Sequence, residues 1–253
     1  MKIYRFEYKN VEQWGILKQE YIFPVTGSIF ESLETARDKI PLADVHVLSP
    51  VKPGKIICVG RNYKEHAEER GSELPREPLI FLKPPSAVIG PEQAVIYPDM
   101  AGRVDYEGEL ALVIRKKVFR LNEEQDVFAY ILGYTCFNDI TARDLQDRDG
   151  QWTRAKSFDT FAAMGPCIAT DLDPGHVRLK TFLNGKLKQS GNTSRFIFPV
   201  PELIRYISQI MTLYPGDVIS TGTPAGIGPM QPGDRVDVQI EGIGTLSNTV
   251  AEK

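Results

Sequence analysis

The run Val104-Asp105-Tyr106-Glu107-Gly108-Glu109-Leu110-Ala111-Leu112-Val113-Ile114 passes without a break from alternating acids into a continuous apolar segment. Successive side chains of a strand point to opposite faces, so Glu107 and Glu109 share a face, with Asp105 aligned behind them. The apolar part is strand-sized, far short of the ~18 residues that suggest a membrane span. Like charges gathered on one face need a counter-ion. Hard oxygen donors converging from a rigid strand suit Mg²⁺, Mn²⁺ or Ca²⁺, and Gly108 would allow close packing on the opposite face. The same alternation also describes a sheet with one wet face and its acids in water, so the run alone leaves both readings open.

Around this strand the chain is punctuated by turns. Pro53-Gly54, Pro174-Gly175, Pro215-Gly216 and Pro232-Gly233 each precede a β-branched run. Proline presets φ at the first central turn position and glycine supplies positive φ at the second, which predicts strands over Lys55–Val59, Val177–Leu183, Asp217–Ser220 and Arg235–Ile240. One amphipathic helix is signalled: Pro201 opens it, Leu203, Ile204, Ile207, Ile210 and Met211 share a face, and Tyr214-Pro215-Gly216 stops it. Residues 1–50 read as a small β-containing appendage, with an alternating start at Lys2–Tyr8 and a helical segment at Ser28–Arg37. Residues 51–253 form the main domain, and the fold class is α+β, mainly β.

Composition narrows the function. Of 253 residues, 42% are hydrophobic and 25% charged, values of a globular protein with a sizeable core. Lys plus Arg total 30 against 33 Asp plus Glu, which lacks the basic footprint of a nucleic-acid binder. Neither a membrane span nor a cleavable leader is visible, and a cytoplasmic location is expected. The three cysteines, Cys58, Cys136 and Cys167, are too far apart for a metal pair and read as buried thiols.

Four further segments carry chemistry. In Asn138-Asp139-Ile140-Thr141-Ala142-Arg143-Asp144-Leu145-Gln146, Asp139 sits where a helix N-cap would sit, and Arg143 and Gln146 would follow on its side. An ordinary capped surface helix explains the segment equally well. Lys156 stands among small and apolar residues, able to bind a carboxylate or stabilise an enolate, or else to snorkel at the surface. Ser220-Thr221-Gly222-Thr223-Pro224-Ala225-Gly226-Ile227-Gly228 is a glycine-rich loop able to present hydroxyls and amides to an anion. His66 and Glu69, three apart, would be neighbours on a helical turn, where a carboxylate can orient an imidazole. A polar surface turn is the plainer alternative. The stretch from Gly60 to Gly71 and the charged Ser72 to Glu77 after it are expected to form a lid that closes over substrate.

Taken in order, Gly60-Arg61-Asn62-Tyr63-x-x-His66-x-x-Glu69, Phe81-Leu82-Lys83-Pro84, Tyr106-Glu107-Gly108-Glu109-Leu110, Asn138 to Gln146, Lys156-Ser157-Phe158 and Thr221-Gly222-Thr223-Pro224-x-Gly226-Ile227-Gly228 resemble the fumarylacetoacetate hydrolase family. The resemblance runs from about Pro53 to the C-terminus. It implies a mixed β-roll or β-sandwich fold, a homodimer, and a divalent metal, Mg²⁺ first with Mn²⁺ or Ca²⁺ as alternatives, held by Glu107, Glu109 and Asp139. Asp105 is then a neighbour of the ligands. The resemblance also implies that Arg143, Gln146 and Thr223 contact substrate, that Lys156 is catalytic, and that His66 and Glu69 form the dyad of the lid.

The substrate implied is a small 2-oxo or 2,4-dioxo acid. Hydrolysis of an acylpyruvate or a fumarylpyruvate-like compound would release pyruvate through an enolate stabilised by the metal. The dyad, as base for the attacking water, favours this reaction. Oxaloacetate decarboxylation and isomerisation of 2-hydroxyhepta-2,4-diene-1,7-dioate would use the same site. A non-catalytic Ca²⁺-binding β module is the alternative of another class, but such a module has no need of the His66 and Glu69 pair.

Overall fold

The computed structural model describes residues 1–69 and 73–252 of the chain. In chain order the longer strands are β1 (Lys2–Tyr8), β2 (Val11–Lys18), β3 (Tyr21–Pro24), β4 (Ile56–Gly60), β5 (Leu79–Lys83), β6 (Val104–Tyr106), β7 (Gly108–Ile114), β8 (Ile131–Asp139), β9 (Ala162–Ala169), β10 (Arg178–Leu183), β11 (Lys186–Asn192), β12 (Val218–Ser220), β13 (Gly228–Met230), β14 (Arg235–Ile240) and β15 (Gly244–Ala251). The α-helices are α1 (Lys64–Glu69), α2 (Arg143–Asp149), α3 (Thr153–Lys156) and α4 (Val200–Ile210). The four strands expected after Pro-Gly turns are present within a residue or so of their expected ends, and the amphipathic helix is α4.

The largest sheet runs β3-β2-β1-β9-β8-β7-β12-β4-β5, with the two-residue strand Ile40–Pro41 outside β3. Its centre is β7, which pairs antiparallel with β8 on one side (Leu110 opposite Cys136) and with β12 on the other (Leu112 opposite Ile219). β12 in turn pairs in parallel with β4, Ile219 beside Ile57. A second sheet, β11-β10-β14-β15, packs against this centre, and β6 joins β13 in a small third sheet.

The unbroken apolar run of β7 is explained by burial on both faces. Leu110, Leu112 and Ile114 join one core with Leu179, Val238 and Leu246 of the second sheet and Ile204 and Ile207 of α4, whereas Ala111 and Val113 join another with Ile56, Phe137 and Val218. Each large side chain so buried contributes roughly 1.5–3 kcal/mol, an upper figure for an extended unfolded reference. Gly108, at the head of β7, makes the close approach expected of it: a Cβ there would lie 2.1 Å from Thr181 Oγ1 of β10.

Two expectations are corrected. Ser28–Arg37 is not helical. After one turn at Ser28 the chain is extended and bonded back to its neighbours, with Thr26 N donating to Glu34 O and Ala36 N to Pro24 O, because pairing beside β3 and burial of Ile29 outweigh local helix propensity. Asp139 is not an N-cap. β8 continues through it, opposite Ala162 of β9, and its N–H donates to Glu107 O at 2.9 Å. The N-cap of α2 is Ala142, with no side-chain cap. The three cysteines are free and buried.

Gly108→Ala is expected to lower unfolding free energy by about 1–3 kcal/mol, the usual cost of overpacking, and Thr181→Ala in the same chain to recover most of it. Urea unfolding of the two single variants and the double variant checks this; additive losses would contradict the close approach.

Candidate functional site

β7 and β8 bring three carboxylates together. Glu107 lies at the break between β6 and β7, where its N–H donates to Asn138 Oδ1 at 2.9 Å and its carbonyl accepts from Asp139 N. Glu109 is the second residue of β7, and Asp139 ends β8. Each of the three can offer an oxygen within 4.8 Å of the others, and all are buried, at 5%, 2% and 1% exposure. Their backbone is pinned by the sheet rather than by a loop, so the cluster is held rigidly.

The surrounding cations divide unevenly among these acids. Lys156 Nζ, from the end of α3, bridges Glu107 Oε2 at 2.9 Å and Asp139 Oδ2 at 2.6 Å. Lys83 Nζ, from the end of β5, donates to Asp139 Oδ1 and to Ile140 O. Arg143, the first residue of α2, donates to Glu107 Oε1, to Gln146 Oε1, and through Nε to Asp105 Oδ2 at 2.9 Å. Four buried carboxylates thus meet three buried cations; Arg103, half exposed, shares Asp105. Among the described residues, Glu109 is the acid left without an ion-pair partner. One of its oxygens accepts from the Ser220 hydroxyl and from Gly222 N at 2.9 Å. Gly222 can make that bond because it sits at φ +99°, tight against Asn62, where a Cβ would come within 2.8 Å of Asn62 Cβ.

Electrostatics follow this pattern. Burial alone would raise the Glu107 pKa, but Lys156 and Arg143 outweigh it and hold the carboxyl well below the usual range. At Glu109 burial acts with Asp139 and Glu107, and all three push the carboxyl well up. Burial would lower Lys156, yet Asp139 and Glu107 raise it, so it stays an ammonium ion; at Lys83 burial wins over Asp139 and the pKa falls. A buried acid pushed up by its neighbours, beside two others offering hard oxygens, is the donor set that a divalent cation fits. Glu107, Glu109 and Asp139 would hold it.

His66, Glu107, Glu109, Asp139, Arg143, Gln146, Lys156 and Thr223 line one cavity of about 260 Å³. Glu69 stands behind His66, its Oε2 3.1 Å from Nδ1, while its Oε1 accepts from Gly226 N at 3.0 Å. His66 is close enough to lower the Glu107 pKa. The Thr223 hydroxyl is already engaged, donating to Gly108 O and accepting from Gln189 Nε2, both at 2.8 Å. Lys156 is 2% exposed and does not snorkel. Of the expected lid, α1 packs beside the cavity, and residues 70–72 lie outside the described residues.

Lys83 was not singled out from the sequence, although it stands in the quoted Phe81-Leu82-Lys83-Pro84 motif; its place at the inner end of a strand was the available signal. Ser220, which caps Glu109, belongs to the loop expected to offer hydroxyls and amides to an anion; Arg61 and Phe81 stand in quoted motifs, but they and Trp152, which line the cavity, carry no role in the sequence reading.

Comparison with known proteins agrees with this geometry. The family described as fumarylacetoacetate hydrolase C-terminal matches residues 55–251, and one described as Rv2993c-like, N-terminal matches residues 1–50. The chain is 44% identical over 224 residues to the oxaloacetate tautomerase YisK of Bacillus subtilis, covering 83% of this chain and 74% of that protein. It is 41% identical over 223 residues to the mitochondrial oxaloacetate tautomerase Fahd2a of Rattus norvegicus, covering 83% and 71%. The crystal structure of 2-hydroxyhepta-2,4-diene-1,7-dioate isomerase from Mycobacterium marinum matches with a TM-score of 0.93 at 41% identity, covering 100% of this chain and 99% of that one.

If the acid cluster is a cation site, Glu109→Ala should weaken Mg²⁺ binding at least about 100-fold, beyond the loss typical of residues that only support a ligand, with thermal stability of the metal-free protein unchanged or higher. Calorimetric titration with Mg²⁺ and a melting curve measure both. Wild-type affinity in the variant would remove Glu109 from the site.

Proposed function

Because the chain belongs to the fumarylacetoacetate hydrolase family, we propose that it is a divalent-metal-dependent enzyme that makes and uses the enolate of a 2-oxo acid, with keto–enol proton transfer as its main reaction. The observation that carries the proposal is the His66–Glu69 pair, Nδ1 to Oε2 3.1 Å, set over the same cavity as the three carboxylates. A carboxylate on Nδ1 fixes the ring and leaves Nε2 for the proton that moves. Relatives at 41–44% identity, two named as tautomerases and one as an isomerase, favour proton transfer over bond cleavage.

A divalent ion held by Glu107, Glu109 and Asp139, Mg²⁺ in this proposal with Mn²⁺ served by the same donors, would supply Lewis acidity that acidifies the C3–H of a bound 2-oxo acid. The chain's own groups do the rest. In enolisation His66 takes the C3 proton while the 2-oxo oxygen gains one and becomes the enol hydroxyl; in ketonisation the enol oxygen gives up its proton and His66 delivers one to C3, Glu69 holding the ring through the exchange. Lys156 and Arg143 keep positive charge beside the oxygen that becomes anionic, in a buried site where such charge acts strongly. Gln146, whose amide nitrogen has no partner among the described residues while its oxygen accepts from Arg143, is positioned to donate to substrate.

Hydrolysis is the second reading, favoured by the same dyad: His66 would take a proton from water attacking the C4 carbonyl of a 2,4-dioxo acid, C3–C4 would break, and pyruvate and a carboxylic acid would leave. A homodimer is also proposed, on family membership; a monomeric mass in light scattering at micromolar concentration would exclude it.

The test is one panel under one condition: decay of the oxaloacetate enol absorbance, and pyruvate release from oxaloacetate and acetylpyruvate, each with Mg²⁺ and with chelator. The proposal expects metal-dependent enol decay to exceed both pyruvate-releasing rates. Faster release from acetylpyruvate would put hydrolysis in its place. His66→Ala is expected to slow the main reaction by about 10²- to 10⁴-fold, the range for loss of a general base, without loss of Mg²⁺ affinity.

A further inference from the structure

We propose that Arg61 receives the distal carboxylate of a dicarboxylic 2-oxo acid and so sets the substrate class; the inference rests on the 2-oxo acid reading above. The charged groups of the cavity wall are already committed. Lys156 is bonded to Glu107 and Asp139, Arg143 to Asp105, Glu107 and Gln146, and His66 to Glu69. Asp147, also on the wall, is itself engaged. Arg61 lines the same cavity, and among the described residues it makes no ion pair or hydrogen bond. An arginine on the wall of this cavity, spent on nothing among the described residues, is a fork of donors without an acceptor.

The backbone holds it there against its own preference. Arg61 has φ +58°, in the left-handed region that glycine adopts freely and arginine does not. Such a conformation persists only where the surroundings over-determine it, and it is found at functional positions more often than elsewhere. The restraint comes from the next residue. The Asn62 side chain donates to Phe198 O at 3.1 Å and Thr221 O at 2.8 Å and accepts from Phe198 N at 2.8 Å, fastening this turn to the loop that also caps Glu109. The neighbouring wall is uncharged: Val59, Gly60, and Trp152 with its ring edge-on to Phe81 at 5.2 Å. A carboxylate meeting Arg61 beside these groups would make a charge-assisted pair with no other charge of the neighbouring wall competing for it. With a divalent cation bound, the acid cluster would serve the 2-oxo acid head, and Arg61 answers a second negative charge at the other end.

Two stable ligands separate head from tail. Oxamate carries the 2-oxo acid head alone, and N-oxalylglycine carries the same head with a second carboxylate. Calorimetry on the Mg²⁺-loaded full chain should find N-oxalylglycine bound more tightly than oxamate by wild type. Arg61→Gln should weaken N-oxalylglycine by about 10- to 100-fold, the worth of a charged hydrogen bond, and oxamate by less than about threefold. Arg61→Lys, which keeps the charge, should recover part of the loss and guards against a folding defect in the first variant. Equal losses for both ligands, or no loss for either, would overturn the role of Arg61 while leaving the 2-oxo acid reading intact. Failure of wild type to bind either ligand with Mg²⁺ would overturn that reading and this inference together.

Discussion

Burying four carboxylates in one place is the constraint that shapes the molecule. A lone buried charge is costly, and a pair broken on one side costs about 3–5 kcal/mol because the survivor keeps its desolvation penalty. Asp105, Glu107, Glu109 and Asp139 are 5% exposed or less, so counter-charges must be delivered from several elements at once. Lys83 comes from β5, Lys156 from α3 and Arg143 from α2. Each is a tie between the central strands and an element outside them. The site and the fold therefore cannot be separated: the residues poised for chemistry also hold α2, α3 and β5 against β7 and β8.

The apolar framework makes this tolerable. β7 enters two cores at once, so its register is fixed from both faces and the two glutamates at its head cannot slip to the wrong side. Gly108 carries the same logic to the level of one atom, since the absence of a side chain between Glu107 and Glu109 lets the second sheet close on the back of the cluster.

How much of this was legible in the sequence depended on how local each signal is. Glu107 and Glu109 could be read because strand alternation is set by the backbone alone. His66 and Glu69 could be read because three residues is a helical neighbour distance whatever surrounds it. Asp139 is placed beside the two glutamates, where the family resemblance puts it, but its expected local structure is wrong, because Asp-Ile-Thr-Ala looks like the start of a helix until the partner strand at Ala162 is known. The Ser28–Arg37 segment failed for the same reason: its helical spacing is real, but hydrogen bonds to residues 24 and 26 are worth more. Lys83 and Arg61 stand inside motifs of the family resemblance, but nothing local in the sequence gives either a role. A lysine at a strand end reads as surface, and a left-handed φ at a non-glycine leaves no mark in sequence.

The placement of β12 between β7 and β4 has a consequence for how the chain comes into being. Residues 218–220 must slot between strands made of residues 56–60 and 108–114, and they bring with them Ser220 and Gly222, which bond Glu109. During synthesis from the N-terminus, the acid cluster is thus translated long before the strand that completes its shelter. Until then the centre of the main sheet has an open seam, with unpaired backbone on β4 and β7 and a glutamate lacking its donors. Closing a loop of this length is slow and offers that seam to other chains meanwhile. The nascent protein is therefore most exposed to mispairing in the interval before β12 emerges, and a truncation between Ile114 and Val218 would leave a sheet that has an interior edge.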